Sequence, residues 1–150
     1  MAETLVSLMH CAVAEAGSLK ISRVGVGVGV VLYDPAQKKA VGVHILAPDS
    51  GSANPENPAK YANTAIPHAI DQLGVNGAKP PFSVSITGGA VMPGTPPALS
   101  LGPKIVTAVK DALKKSNLDI SHDQTGGSLV RNMIIDTETG NTQIEITTGD

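Results

Sequence analysis

Residues 24–34 read VGVGVGVVLYD, and this stretch carries most of what the sequence predicts about the fold. Valine and glycine alternate at its start, and successive side chains of a β-strand point to opposite faces. The wider stretch 18–33, rich in Val and Ile, predicts a strand region. One face of it carries Gly25, Gly27 and Gly29 and has no side chains. Such a face permits close packing within the fold or the close approach of a binding partner.

The same glycines do not favour a phosphate-binding loop. Such a loop connects a strand to the N-terminus of a helix, where free amides point at the anion. Here the strand pattern continues through residues 31–33. Two further glycines, Gly88 and Gly89, follow a strand predicted over 82–87. Together with the three alternating glycines, they are the candidate binding residues of the chain.

A histidine lies on the strand that returns after the glycine-rich segment. Residues 34–37, Asp-Pro-Ala-Gln, predict a turn, and residues 39–46 predict the second strand of a hairpin. With the turn centred on Pro35 and Ala36, His44 falls opposite Gly27 or Val28. A histidine facing position 27 is well placed to activate a nucleophile there, but glycine supplies none.

The rest of the chain adds two helices, one strand and a closing hairpin. We predict helices over 60–73 and 103–116, the strand over 82–87, and hairpin strands over 128–136 and 142–147. The fold class expected is α+β, as a layered α/β arrangement. In it, a mainly antiparallel sheet with hairpins packs against two principal helices. A length of 150 residues fits a single domain spanning 1–150.

The composition indicates which binding partners and which cellular compartment the protein is expected to have. A net charge of −2 without a basic patch argues against nucleic acid. Cys11 is the only cysteine, so no internal disulfide forms, and a reducing compartment is favoured. Neither a secretory leader nor a membrane-spanning segment is evident, so we expect a cytoplasmic protein without membrane insertion.

The remaining histidines give no sign of a metal site. His10 adjoins Cys11, but adjacent side chains of an extended chain point apart, which disfavours a reactive pair. We expect His68 on the surface of the first helix and His122 in a polar loop. No His, Cys or acidic residues stand at a recognised ligand spacing, so we predict no metal and no cofactor.

Several segments together resemble the chemoreceptor glutamine deamidase family of chemotaxis proteins, CheD. The glycine-rich strand and the histidine strand are similar to that family's, and further segments follow in the same order along nearly the whole chain. These further segments are Lys60-Tyr61-Ala62 with Ala65-Ile66-Pro67, Thr87-Gly88-Gly89-Ala90, Gly126-Gly127-Ser128-Leu129-Val130-Arg131, and residues 136–140. The resemblance implies a CheD-like α/β layered domain whose partners are chemoreceptor cytoplasmic helices or a CheC-type phosphatase.

The resemblance also implies an active site that this chain lacks in part. In the family, a cysteine thiolate attacks the carboxamide of a receptor glutamine and a histidine handles the protons. Ammonia leaves, and water hydrolyses the resulting thioester to give glutamate. His44 stands at the histidine position. Gly27 stands at the cysteine position and Ile21 at the position of an assisting threonine. A positioned histidine contributes about 10²–10⁴-fold, whereas loss of a nucleophile costs on the order of 10⁶ in a protease.

Three functional hypotheses follow. The leading one is a non-catalytic relative, not an enzyme, that binds chemoreceptor helices or a CheC-type phosphatase. The second is an active glutamine deamidase, a hydrolase, whose nucleophile is Cys11, Ser22 or a water activated by His44. The third is a small-molecule-binding domain whose site is lined by the irregular loops at 49–58 and 93–97.

Overall fold

The computed structural model describes residues 3–51, 56–74, 83–96 and 99–146. Over these residues it contains nine strands, two α-helices and one 3₁₀ helix. The strands are β1 Glu3–Val6, β2 Cys11–Ala14, β3 Ser18–Val24, β4 Val28–Asp34, β5 Lys39–Ile45, β6 Ser83–Gly88, β7 His122–Thr125, β8 Arg131–Asp136 and β9 Thr142–Ile146. The helices are the 3₁₀ helix Pro58–Lys60, α1 Ala62–Leu73 and α2 Leu101–Lys115.

The strands form two sheets in a three-layered fold. A four-stranded sheet has the order β1-β3-β8-β9, and a five-stranded sheet has the order β2-β5-β4-β6-β7. The β1–β3 and β6–β7 pairs are parallel and the other pairs are antiparallel. Both helices pack on one face of the five-stranded sheet, and the four-stranded sheet packs on its other face. The predicted α+β class is confirmed, with the strands divided between two sheets.

The alternation predicted a strand region over 18–33, but this stretch is divided between two strands. The chain bends at residues 25–27, so that β3 lies in one sheet and β4 in the other. Backbone hydrogen bonds from the segment after β6 hold this bend: the Gly89 N–H donates to Gly27 O (2.9 Å) and the Ala90 N–H to Gly25 O (3.0 Å). Period-two alternation survives such a bend, which is why the pattern did not reveal it.

Three strands were not predicted at all, namely β1, β2 and β7. Each has four residues, too few for a clear alternation signal. β7 also corrects the expectation that His122 lies in a loop, because that residue begins the strand and pairs with Ser85 of β6.

The helix predictions were correct to within two residues at each end. α1 begins at Ala62 instead of residue 60 and passes through Pro67, whose ring lies on the exposed side. Gly74, in the left-handed conformation with φ of 77°, ends the helix as predicted. Residues 82 and 147, at the ends of two predicted strands, lie outside the described residues.

The central strands β4 and β5 are buried on both faces, and small residues on one face let the two sheets approach. On β5, Val41 and Val43 face the helices, whereas Ala40, Gly42 and His44 face the four-stranded sheet. A Cβ on Gly42 would lie 2.7 Å from Leu19 Cδ2.

Gly29, on β4, is packed in the same way. A Cβ there would lie 3.3 Å from Ile21 Cδ1 and 3.4 Å from Val24 Cγ2, both on β3. Close packing within the fold therefore accounts for Gly29. None of the helices in the described ranges is long and apolar enough to cross a membrane.

Candidate functional site

The register of the β4–β5 hairpin differs from the one predicted. His44 pairs with Gly29, not with Gly27 or Val28. The reason lies in the turn: pairing ends at Asp34 and Lys39, so the connection has four residues, 35–38. Lys38, with φ of 50°, completes this longer turn in the left-handed region.

The bend before β4 nevertheless brings Gly27 against the histidine. A Cβ on Gly27 would lie 3.2 Å from His44 Nε2 and 3.4 Å from its Cδ2. A side chain at position 27 would therefore contact the imidazole directly. The same Cβ would lie 2.7 Å from the backbone oxygen of Ile45, which is closer than real contacts of this kind. The backbone at position 27 therefore lies close enough to Ile45 that glycine fits there without a shift of the neighbouring chain.

His44 is buried, and its ring borders the bend at residues 25–27. It is 5% exposed, and burial lowers the pKa of its imidazole to about 4. Its backbone is held by His10 O, which accepts from the His44 N–H at 3.3 Å, and by the Met9 N–H, which donates to His44 O at 2.8 Å. Within the described part of the chain, no hydrogen bond is made to the imidazole nitrogens. The ring is therefore neutral at pH 7 and available to a bound group.

A cavity of about 600 Å³ opens beside this ring. Its wall comes from the β1–β2 segment, the β3–β4 bend and the end of β5. The lining residues are Leu5, Val6, Ser7, Leu8, Ser22, Arg23, Gly25, Val26, Gly27, His44 and Leu46. Two of these leucines are unusually exposed, Leu5 at 61% and Leu8 at 45%. A largely apolar cavity with a few polar groups is typical of a binding site.

The other predicted glycines have different roles in the structure. Gly25 lines the cavity beside Gly27, whereas Gly29 lies between the sheets. Gly88 has φ of 106°, and a Cβ on it would overlap Gly27 O; a Cβ on Gly89 would overlap Val106 Cγ2 of α2. Gly88 and Gly89 therefore let the chain pass close enough to hold the 25–27 bend.

Neither Ile21 nor Cys11 meets His44. Ile21 is fully buried between the sheets, packed near Gly29 and Gly42. Cys11 pairs with Val43 on β5 and packs against the helix-side core, on the opposite face of the sheet from His44. Burial raises the pKa of the Cys11 thiol to about 11, so it is protonated at neutral pH. Ser22 does line the cavity.

The irregular loops and His122 lie away from the cavity as far as the structure describes them. The parts of the loops at 49–58 and 93–97 that the structure describes do not line the cavity. Among the residues that the structure describes, no cluster of three or more His, Cys, Asp or Glu side chains is suited to a metal ion. His122 Nδ1 lies 3.2 Å from Ser85 Oγ, away from the cavity.

The sequence patterns did not identify the cavity-lining residues that follow β1 or Arg23 in the β3 bulge. Ser7, Leu8 and Arg23 line the cavity, but no pattern marked them. The β3–β8 register shifts between Ile21 and Val24, and this bulge turns Arg23 to its position. A bulge depends on the partner strand and leaves no local sequence signal.

Comparison with known proteins gives the family. The family model described as CheD chemotactic sensory transduction matches residues 46–146. A probable chemoreceptor glutamine deamidase CheD from Methanococcus vannielii is 35% identical over 119 residues, covering 78% of this chain and 77% of the relative. The chain belongs to the CheD family. A chemoreceptor glutamine deamidase CheD from Bacillus velezensis is 36% identical, covering 73% of this chain and 70% of the relative. The corresponding protein of Bacillus subtilis is 35% identical over 117 residues.

Of the described residues that line the cavity, the family-model match includes Leu46 alone. Its range begins at residue 46, after Gly27 and His44. It covers α1, β6, α2 and the β8–β9 hairpin, which form the scaffold behind the cavity. The family-model match therefore covers these elements of the fold and includes neither Gly27 nor His44.

Proposed function

We propose that this CheD-family chain binds chemoreceptor cytoplasmic helices, or a CheC-type phosphatase, without deamidating them. The observation that carries the proposal is the position of Gly27 beside the ring of His44. A side chain at position 27 would touch the imidazole Nε2, which is the arrangement that a cysteine–histidine pair needs. Glycine at this position leaves a histidine and a cavity without a nucleophile.

The chemistry that remains at the site supports this reading. His44 is neutral and lacks a carboxylate that orients its ring within the described residues, so it resembles no complete catalytic unit. Loss of the nucleophile costs far more than acid–base help from one histidine restores, on the order of 10⁶ against about 10²–10⁴. Turnover by this chain is therefore expected to be absent.

An alternative nucleophile has limited support. Cys11 lies on the wrong face of the sheet and is protonated, which argues against its use. Ser22 lines the cavity with His44, so a serine-dependent amidohydrolase stays as the second candidate function. It requires the imidazole to hydrogen-bond to that hydroxyl when substrate is bound.

Mass spectrometry of a glutamine-bearing chemoreceptor fragment tests the lack of turnover. The fragment is incubated with this chain and, in parallel, with a cysteine-bearing relative. We expect glutamine-to-glutamate conversion with the relative only. Conversion by this chain that is abolished by His44→Ala and by Ser22→Ala would replace the proposal with the second candidate.

A gain-of-function variant tests the role of position 27. Gly27→Cys adds a thiol that contacts His44, and we expect it to produce detectable deamidation. Gly27→Ala is the matched control, because its Cβ has the same close contact with Ile45 O but brings no thiol. Ile21→Thr combined with Gly27→Cys tests whether the third family position adds to the rate. A well-folded Gly27→Cys protein that leaves glutamine unchanged counts against the assignment of position 27.

Binding must be measured separately from turnover. Isothermal titration of this chain with the chemoreceptor fragment, and with a CheC-type phosphatase, gives the affinity for each. We expect association with at least one of them, weakened by Leu8→Asp in the exposed wall of the cavity. If neither partner associates, the binding proposal is wrong, and small-molecule ligands of the cavity become the next class to screen.

A further inference from the structure

The exposed large apolar side chains gather at the end of the two sheets where His44 lies, which we call the His44 end. Among the described residues, seven such side chains are exposed. Leu5 lines the cavity, and Ile146 ends β9 opposite the first residue of β8. The other five lie in the segments that join strands at this end or in the first turn of α2, namely Leu8, Met92, Leu99, Leu101 and Leu129. Exposed apolar residues concentrated at one end of a molecule mark an interaction surface.

The segments that form this end also lack charge. Residues 7–10, 25–27, 89–101 and 126–130 contain no Asp, Glu, Lys or Arg. The turns at the opposite end differ, because residues 34–39 and 136–141 together carry five charged side chains: Asp34, Lys38, Lys39, Asp136 and Glu138. A charged group buried against the uncharged segments would lose its hydration without gaining a partner. The face of a partner that contacts them is therefore expected to be apolar and uncharged.

Backbone hydrogen bonds join these segments into one preformed surface. In addition to the two bonds that hold the 25–27 bend, the Val91 N–H donates to Gly127 O at 2.8 Å, and the Gly126 N–H donates to Gly88 O at 2.9 Å. The Arg131 guanidinium donates to the backbone oxygens of Gln124 and Gly126, at 3.0 Å each. A surface that is already ordered costs less conformational entropy when a partner binds.

The ends of the four-stranded sheet place apolar residues in a row. In the strand order β1-β3-β8-β9, Leu8 follows β1, Val26 follows β3, Leu129 precedes β8 and Ile146 ends β9. Neighbouring strands lie about 4.8 Å apart, and each turn of an α-helix advances about 5.4 Å. A helix lying across these strand ends can therefore present one side chain to each strand. Its contacting residues would recur every three or four positions.

We infer that a partner helix binds across this row, with an uncharged apolar stripe over about three turns and one of its side chains in the His44 cavity. The inference rests on the proposed binding function and specifies the partner surface that it requires. It extends the contact beyond the cavity to Leu129 and Ile146. Because the four segments carry no charge, the affinity should depend little on ionic strength.

The test uses the full chain and two synthetic helical peptides of identical composition. One peptide carries four leucines along one face, one in each successive turn, and the other has its leucines distributed around the helix. Isothermal titration gives both dissociation constants at low and high salt. We expect the striped peptide to bind about tenfold more tightly than the distributed one. Its affinity should change by less than about twofold with salt.

Two variants assign the contact to the row. Leu129→Glu and Ile146→Glu change exposed side chains outside the cavity wall, so both proteins should fold. Each should weaken binding of the striped peptide about tenfold, because the carboxylate would be buried without a partner. Leu101→Glu is the matched control. It places the same charge on an exposed leucine of the same end, but on α2 and outside the row, and should leave the affinity unchanged.

The outcomes separate this inference from the proposed function. Equal binding of the two peptides, or equal binding of the striped peptide by wild type and both row variants, overturns the inference. So does self-association of the chain in sedimentation velocity that Leu129→Glu abolishes, because a second copy would then cover the row.

The chemoreceptor fragment and the CheC-type phosphatase distinguish the remaining cases. If a partner binds wild type, Leu129→Glu and Ile146→Glu equally, its contact is confined to the cavity, which overturns the inference and leaves the proposed function standing. If the striped peptide binds in a manner that depends on Leu129 and Ile146 while neither partner binds, the inference is supported and the proposed partners are wrong.

Discussion

The two ends of the layer between the sheets are built differently. At one end Tyr33 of β4 is buried, and its hydroxyl donates to Thr137 O at 2.6 Å. Thr137 Oγ1 in turn donates to Gly17 O at 2.7 Å, and Gly140 lies against the tyrosine ring. At the other end the ring of His44 has no hydrogen bond within the described residues and borders a cavity.

This difference indicates that Tyr33 has a structural role, whereas His44 is placed for binding. At the Tyr33 end, a polar aromatic side chain is fully satisfied and tightly packed, which stabilises the fold. At the His44 end, a polar aromatic side chain is equally buried, but its ring faces a cavity in which a ligand could bind. Burial of this imidazole disfavours its protonated form, so the His44 end is expected to lower stability as pH falls.

The largest expected effect is the pH dependence that His44 confers on stability. In the unfolded chain this histidine binds a proton as pH falls through 6.5, whereas in the native state it does so only near pH 4. Its contribution to stability is therefore full above pH 6.5 and is lost as pH falls from 6.5 towards 4. The total loss is about 3 kcal/mol.

Chemical denaturation of wild type and His44→Gln at pH 7 and pH 4.5 measures this effect. The glutamine variant lacks the titrating group, so its free energy of unfolding should fall less between the two pH values. If the free energy of unfolding falls equally in both proteins, His44 has the same pKa in the native and unfolded states. The two ends would then not differ in their effect on the pH dependence of stability.

A smaller effect is expected from packing at the Tyr33 end. Gly140 has φ of 78°, and a Cβ on it would lie 2.8 Å from Tyr33 Cε2. Gly140→Ala should lower the free energy of unfolding by about 2 kcal/mol, from backbone strain and crowding of the ring. Gly94→Ala is the matched control, with φ of 87° and nothing within 4 Å, and should cost about 1 kcal/mol. If urea denaturation shows that both variants lose the same free energy of unfolding, the Tyr33 ring moves aside at no cost.

The smallest effect is expected from the tyrosine hydroxyl. Tyr33→Phe leaves Thr137 O without its donor and should cost about 1 kcal/mol at pH 7. It should leave binding of the chemoreceptor fragment unchanged, because Tyr33 does not line the His44 cavity. Thermal unfolding measures the stability, and isothermal titration with the chemoreceptor fragment measures the binding. A change in binding would show that the ends are coupled through the layer.

Much of the fold was predictable because its signals are local. Hydrophobic periodicity located α1 and α2, Gly74 marked the end of the first helix, and the valine-rich pattern located β4. The four-residue strands were missed because so short a segment carries no clear period. The hairpin register was wrong because the turn takes four residues, which depends on backbone angles at Lys38.

The candidate site was predictable only in part. The sequence singled out His44 and Gly27, and the structure brings them together, although by a bend and not by the predicted pairing. It gave no sign of Arg23, because a residue in a strand becomes part of a cavity wall only when a bulge against β8 redirects it.

The amino-acid sequence by itself determined the α+β class, the helices, the resemblance to CheD and the absence of a nucleophile at position 27. These depend on residue type, local periodicity and order along the chain. Only the tertiary structure decided that the glycine-rich stretch divides between two sheets, that Gly29 serves packing whereas Gly27 faces His44, and that Cys11 lies on the other face. These depend on contacts between segments far apart in sequence, and such contacts exist only once the two sheets and the helices have packed together.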